Sequence, residues 1–341
     1  MNLIKWLPRP LLLIAALSLV LPVQATTTFK IATMAPDGTS WMKAMRKGAK
    51  EVKKKTEGRV KFRFYPGGIM GNDKSVLRKI RVGQLHGGAL TGGGLNDIYP
   101  DSQVYSLPFE FKTLQEVDYV RSKMDQQILD GLYQKGFISF GISEGGFAYM
   151  MSKKPVISNA ELLKSKVWIP EGDNINRAAF SEFNISPISL PLPDVLTGLQ
   201  TGLIDTVAAS SVGAIALQWH RRIKYLNSTP LIYIYGTMVV KRNKFEKLSS
   251  GDQKIVKEVM NRIFYELNIQ SRTDNRQAME ALKNQGVEVI DSSIDHIEVW
   301  RSGSALAMDK LTKNGGFSPE ILASLRKHLF NYRNGVKPEG D

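Results

Sequence analysis

The sequence predicts an α/β protein of two lobes spanned by one long helix, and three observations carry this expectation. Residues 60–65 read as a strand, 75–82 as a helix stopped by Gly83, and the apolar run 87–91 as the next strand. The same plan returns in SPISLPLPDVLTGLQTGLIDTVAASS, with a strand at 188–190, a turn through Pro191 and Pro193, a helix at 194–202 and a strand at 204–209. Asp194 is placed to accept from the free amides of that helix start, and Gly202 sits where a helix stops. Third, a helical pattern runs unbroken from Ser249 to about Gln285, which at ~1.5 Å per residue reaches about 50 Å, enough to span two lobes. Ligands of such sheets bind beyond the carboxyl ends of the strands, so Thr91 and Ser210 are expected to face a shared cleft.

The first residues combine Lys5 and Arg9 with the apolar run 11–21 and then Val23-Gln24-Ala25. This is the pattern of a secretory signal with a small-residue cleavage site, so residues 1–25 read as a signal peptide, and the run is short for a membrane span of about 20 residues. The remaining 316 of 341 residues hold two ordinary domains and no further spanning stretch. With no cysteine in the sequence, disulfides, thiolate metal sites and a cysteine nucleophile are excluded. The formal charge of +14 invites a nucleic-acid reading, but the basic residues lie in helical stretches such as 43–55 mixed with carboxylates, and an exported protein rarely meets DNA. Attraction to an anionic surface or an acidic partner stays open.

In chain order, 29–33 is a strand, and the Pro36-Asp37-Gly38 turn leads to an amphipathic helix at about 40–56 capped by Thr39 or Ser40. The segment PGGIMGND lacks the Lys and Ser/Thr of a phosphate-binding loop. The cluster GGALTGGGL, residues 87–95, reads either as a close backbone approach to a ligand or another segment or as a tight strand exit. A helix is expected at 114–132, strands at 137–141 and 146–151, a strand at 166–169, and a helix at 175–183 capped from EGDN. Residues 213–220 read as helix, 223–226 and 231–240 as strands, Gly286 as a stop, 287–290 as the last strand and the remainder to Tyr332 as helical. Asn227-Ser228-Thr229 fits a glycosylation sequon.

Five segments, in this order and spacing, resemble one family. They are Pro66 followed by Met70-Gly71, Ser106-Leu107-Pro108-Phe109, Lys153-Lys154-Pro155-Val156, Lys166-Val167-Trp168-Ile169-Pro170, and Leu199-Gln200-Thr201-Gly202-Leu203-Ile204-Asp205. The chain resembles the DctP-like extracytoplasmic solute receptors of tripartite ATP-independent periplasmic (TRAP) transporters over nearly all of its mature length. The resemblance implies a periplasmic clamshell, monomeric and free of cofactors, that closes on a small solute and delivers it to a small and a large membrane subunit. Residues 26–146 with about 235–270 would form lobe I, and 147–234 with about 271–341 lobe II.

Most relatives hold an organic acid through an arginine, and that position falls on Trp168. A second family arginine falls on Ala148, and a polar Asn on about Ala209. An enclosed carboxylate without its bidentate partner costs on the order of 3–5 kcal/mol. Trp168 instead offers roughly 150–250 Å² of apolar surface, worth several kcal/mol at about 25 cal/mol per Å². The expected ligand is therefore hydrophobic or amphipathic, even lipid-like, walled by Trp41, Phe109, Phe147, Tyr149 and Trp168. Asp173, Ser210 and Ser211 would orient a polar end, and Arg177 or Arg221 are the cations able to replace the missing clamp. A same-fold receptor for lipid shuttling or sensing is the alternative. A serine hydrolase is disfavoured: Gly141-Ile142-Ser143-Glu144-Gly145 matches G-x-S-x-G, but a strand rather than the required helix is expected after it. The four histidines are far apart, and no spacing calls for a metal.

Overall fold

The computed structural model describes residues 26–336. The chain begins with β1 (Thr27–Thr33), α1 (Ser40–Lys55), β2 (Val60–Tyr65), α2 (Asp73–Arg81) and β3 (Gly87–Thr91). A tight helical turn at Pro100–Ser106 leads to α3 (Leu114–Gln134) and the long strand β4 (Phe137–Ser152). Next come α4 (Asn159–Leu162), β5 (Trp168–Pro170), α5 (Asn174–Ser181), β6 (Ile188–Leu190), α6 (Val195–Thr201), β7 (Thr206–Ala209) and α7 (Ser211–Ala216). The long strand β8 (Tyr225–Lys241), α8 (Arg242–Phe245), α9 (Ser250–Asn284), β9 (Glu288–Ile290), α10 (Ile294–Lys313) and α11 (Pro319–Arg333) complete it.

The sheet order is β2-β1-β3-β8-β4-β7, with β9 on β8 and β5 paired to β6. β1 pairs in parallel with both β2 and β3, and β5 with β6, as the repeated strand-helix-strand plan requires. The strands that join the lobes are antiparallel. β4 and β8 pair along nearly their whole length, from Phe137 opposite Lys241 to Ser152 opposite Tyr225. Sequence reading divides each of them in two. The structure makes each continuous, because Gly145-Gly146 and Pro230 are absorbed by shifts of register rather than ending the strand.

Three local expectations are corrected. Asp194 ends a tight turn at Leu192–Asp194 and makes no side-chain cap, although Gly202 does adopt the left-handed φ of 74°. The second helix starts at Asp73, capped by Asn72. The 227–229 sequon lies inside β8, where the Asn227 amide is buried and donates to the Val156 carbonyl and Ser292.

Thr39 caps α1, which buries Met42, Met45, Gly48 and Val52 at helical spacing. α9 shows how one helix serves two lobes. Its first half buries Val256, Val259, Met260, Ile263, Phe264 and Leu267, and its end buries Ala278 and Leu282. Between these stripes its inward face is polar. Asn268, Ser271 and Asn275 bond the backbone of β4 at Ile142, Glu144 and Gly145, where the strand passes from one lobe to the other. Arg272 pairs there with the buried Glu144 at 2.8 Å, and with Asp118 of α3. α10 packs on α5, whereas α11 packs on α3, tying the last helix to elements assigned from sequence to lobe I.

Candidate solute-binding cleft

Strand directions place the cleft. β3 runs antiparallel to β8 and ends with Thr91 opposite Gly236, which in turn pairs with Ser143 of β4. β7 runs antiparallel to β4 and ends with Ala209 opposite Tyr149. The carboxyl ends of β3 and β7 therefore point toward each other from the two lobes, with residues 144–148 of β4 crossing between them. Gly146 has φ of 88°, and a Cβ there would lie 2.7 Å from the Asn275 amide, so only glycine fits this crossing.

The lobe I wall is built at the start of α2. The Asn72 side-chain Oδ1 accepts from the Ser75 amide at 2.9 Å, while its Nδ2 donates across the cleft to Glu171 at 2.7 Å. Asp73 accepts from the Thr91 hydroxyl at 3.1 Å. Although its carboxyl keeps some solvent exposure, the surrounding walls desolvate it and push its pKa from 3.8 up to about 6. On the lobe II side Asp173 caps α5, accepting from the Asn176 amide at 2.9 Å and from its Nδ2 at 2.7 Å. Burial raises the Asp173 pKa despite these bonds and the nearby Arg177. Asp73, Glu171 and Asp173 form no ion pair among the described residues.

Trp168 is only 5% exposed. It packs edge-on against Trp219 at 5.2 Å between ring centres, and its Nε1 donates to the Leu190 carbonyl at 3.0 Å. Tyr149 is half-buried beside this cluster, and Ala209, paired with it, is buried in the same group. Ala148 is fully buried. Tyr149, Trp168 and Ala209 are thus brought together in lobe II, and Thr91 stands on the opposite wall with Asp73. Phe147 packs edge-on against Tyr233 at 5.9 Å. Ser210 caps α7 through the Gly213 amide, and Ser211 is buried.

Trp41 and Phe109 are not brought to that group. Trp41 lies against the core under α1 and α9. Phe109, at φ of 59°, stacks on Trp300 6.1 Å away and lines a small apolar cavity with Met150, Phe180 and Phe183. Of the replacement cations, Arg177 is exposed, and Arg221 is exposed in a groove with Lys224 and Glu288 at the other end of lobe II. The guanidiniums beside the crossing are already engaged, Arg121 by Asp125, Tyr233 and the Ile142 carbonyl, and Arg272 as above. Sequence reasoning missed Asn72, Asp73 and Glu171. An Asn-Asp pair opening a helix after a glycine-rich loop was their one local signal.

Residues 31–314 match the model of the bacterial extracellular solute-binding protein family 7 (DctP). The chain belongs to this family. As a family 7 receptor it is similar to the 2,3-diketo-L-gulonate-binding periplasmic protein of Escherichia coli, 25% identical over 70% of this chain and 73% of that one. It is also similar to the sialic acid-binding periplasmic protein of Vibrio cholerae, 22% identical over 81% of this chain and 86% of that one. Among solved structures, a sugar acid binding protein from Advenella mimigardefordensis in complex with galactonate superposes with a TM-score of 0.82 at 18% identity, covering 90% of this chain and 99% of that one. A Bordetella pertussis receptor binding pyroglutamic acid gives 0.81 at 17%, covering 89% and 100%. These likenesses confirm the two-lobed fold of TRAP solute receptors. The family 7 chain is a periplasmic receptor for small solutes and not an enzyme, and its G-x-S-x-G stretch lies within β4. No helix among the described residues is long and apolar enough to cross a membrane. Residues 1–25, read as the signal, lie outside the described residues.

Proposed function

We propose that this TRAP receptor captures an amphipathic solute carrying no carboxylate, with its apolar body against Tyr149 and Trp168. Its polar end, a hydrogen-bond donor or a cation, faces Asp73, Glu171 and Asp173. The observation that carries this reading is the charge of the facing walls: three carboxylates without an ion pair among the described residues; in this reading Trp168, Ala148 and Ala209 stand where the resemblance leads one to expect polar clamps. An acid brought there meets like charges, which disfavours it. In this reading residues 1–25 direct export, the monomeric receptor closes around the solute, and the small and large membrane subunits take it up.

Isothermal titration of the refolded, ligand-free receptor tests the proposal. Galactonate and sialic acid should give no heat of binding at millimolar concentration, whereas amphipathic amines or alcohols should saturate one site. Micromolar binding of any sugar acid refutes it.

A further inference from the structure

The net charge is concentrated on one edge of lobe I. Residues 40–81 contain fourteen Lys and Arg against three Asp and Glu, a net +11, while the whole chain carries +14. Carboxylates are mixed into this segment, as the sequence reading has it, but they are too few to offset its cations. It folds as α1, the edge strand β2 and α2, with α1 packed on one face of the sheet and α2 on the other, so the excess wraps the outer border of the sheet.

Ion pairs do not neutralise this border. On the flank of α1 that meets α9, Lys47 pairs with Glu266 and Glu51 with Arg262. Lys43, Lys50 and Lys54, spaced seven and four residues apart, lie on the same helical stripe as Lys47 and are all exposed. On α2 the exposed Lys74, Arg78 and Arg81 form a second stripe at spacings of four and three. Among the described residues none of these six makes an ion pair. Two large apolar side chains flank this region, Ile69 in the loop before α2 at 69% and Val82 at its end at 67% exposure.

We propose that this border docks the receptor on an anionic bilayer surface. The cations extend along two helices of about 24 and 14 Å, longer than the Debye length of about 8 Å in physiological salt. A single acidic loop reaches only a few of them, whereas a surface of phosphate headgroups follows the border along its length. The stripes are mostly lysine, a point charge that suits mobile headgroups better than stereospecific paired recognition. Exposed Ile69 and Val82 supply the apolar pegs that interfacial binding adds to electrostatics.

Sedimentation of the mature protein with vesicles tests this, comparing phosphatidylcholine alone with phosphatidylcholine mixed with phosphatidylglycerol. The expected result is binding to the mixed vesicles only, released by high salt. The combined variant Lys43→Glu, Lys50→Glu, Lys54→Glu, Arg81→Glu should weaken it about a hundredfold. A control with the same change in net charge elsewhere, Lys164→Glu, Lys224→Glu, Lys313→Glu, Lys327→Glu, should bind as the parent does. Should the glutamate variant fail to fold, glutamine at the same four positions should still weaken binding at least severalfold. Absence of binding to the anionic vesicles overturns the proposal, as does an equal loss in the control.

Discussion

Asp73 holds an acid whose environment favours its neutral form. Its pKa is 3.8 in the unfolded chain and about 6 in the fold, so between these values the native state binds more protons. Stability therefore falls as pH rises through that window and stays low above it. Asp73→Asn removes the cost of the enclosed charge. Urea unfolding should show the variant more stable than the parent by about 1–2 kcal/mol at pH 8 and nearly equal to it at pH 4. In the proposed reading Trp168 borders the same cleft from the other wall. Trp168→Arg discards its packing on Trp219 and its bond to the Leu190 carbonyl, and it adds a cation facing the acidic wall. Titration should show binding of an amphipathic ligand weakened at least about a hundredfold, the size of one buried aromatic contact.

The elements that join the lobes depend on α9 reading the backbone of β4. Glu144 is buried and bonded by Arg272, Tyr233 and, through its amide, Asn268. Removing one partner of such a pair leaves an uncompensated charge, and Arg272→Ala should cost about 3 kcal/mol in chemical denaturation. Gly146→Ala meets both a left-handed backbone and the Asn275 amide, so it should destabilise by more than the ~1 kcal/mol of a strained turn alone. Much at this scale was legible in the sequence. Gly202 and Gly83 announced helix stops, and the extent of α9 followed from its unbroken period. The continuity of β4 and β8 was not legible, because glycine and proline signal breaks locally and only cross-strand pairing shows that a bulge has absorbed them. Asp194 misled for a related reason: its cap geometry was displaced by the turn that Pro191 and Pro193 impose.

At the scale of the whole molecule, the order of weak motifs was enough to give the two-lobed receptor. The cleft chemistry was only half legible. Trp168, Ala148 and Ala209 suggested an absent clamp only through the family resemblance, whereas Asn72 and Glu171 meet only after the lobes are assembled, across 99 positions. That single bond across the cleft favours closure. Asn72→Ala should shift the ligand-free receptor toward an open form, seen by small-angle scattering as a larger radius of gyration. The central claim, a TRAP receptor whose cleft excludes carboxylates, is tested most directly by native mass spectrometry of protein isolated from the periplasm, with the released ligand identified. The account predicts an amphipathic compound without a carboxylate. A sugar acid or other small organic acid released in stoichiometric amount would contradict it.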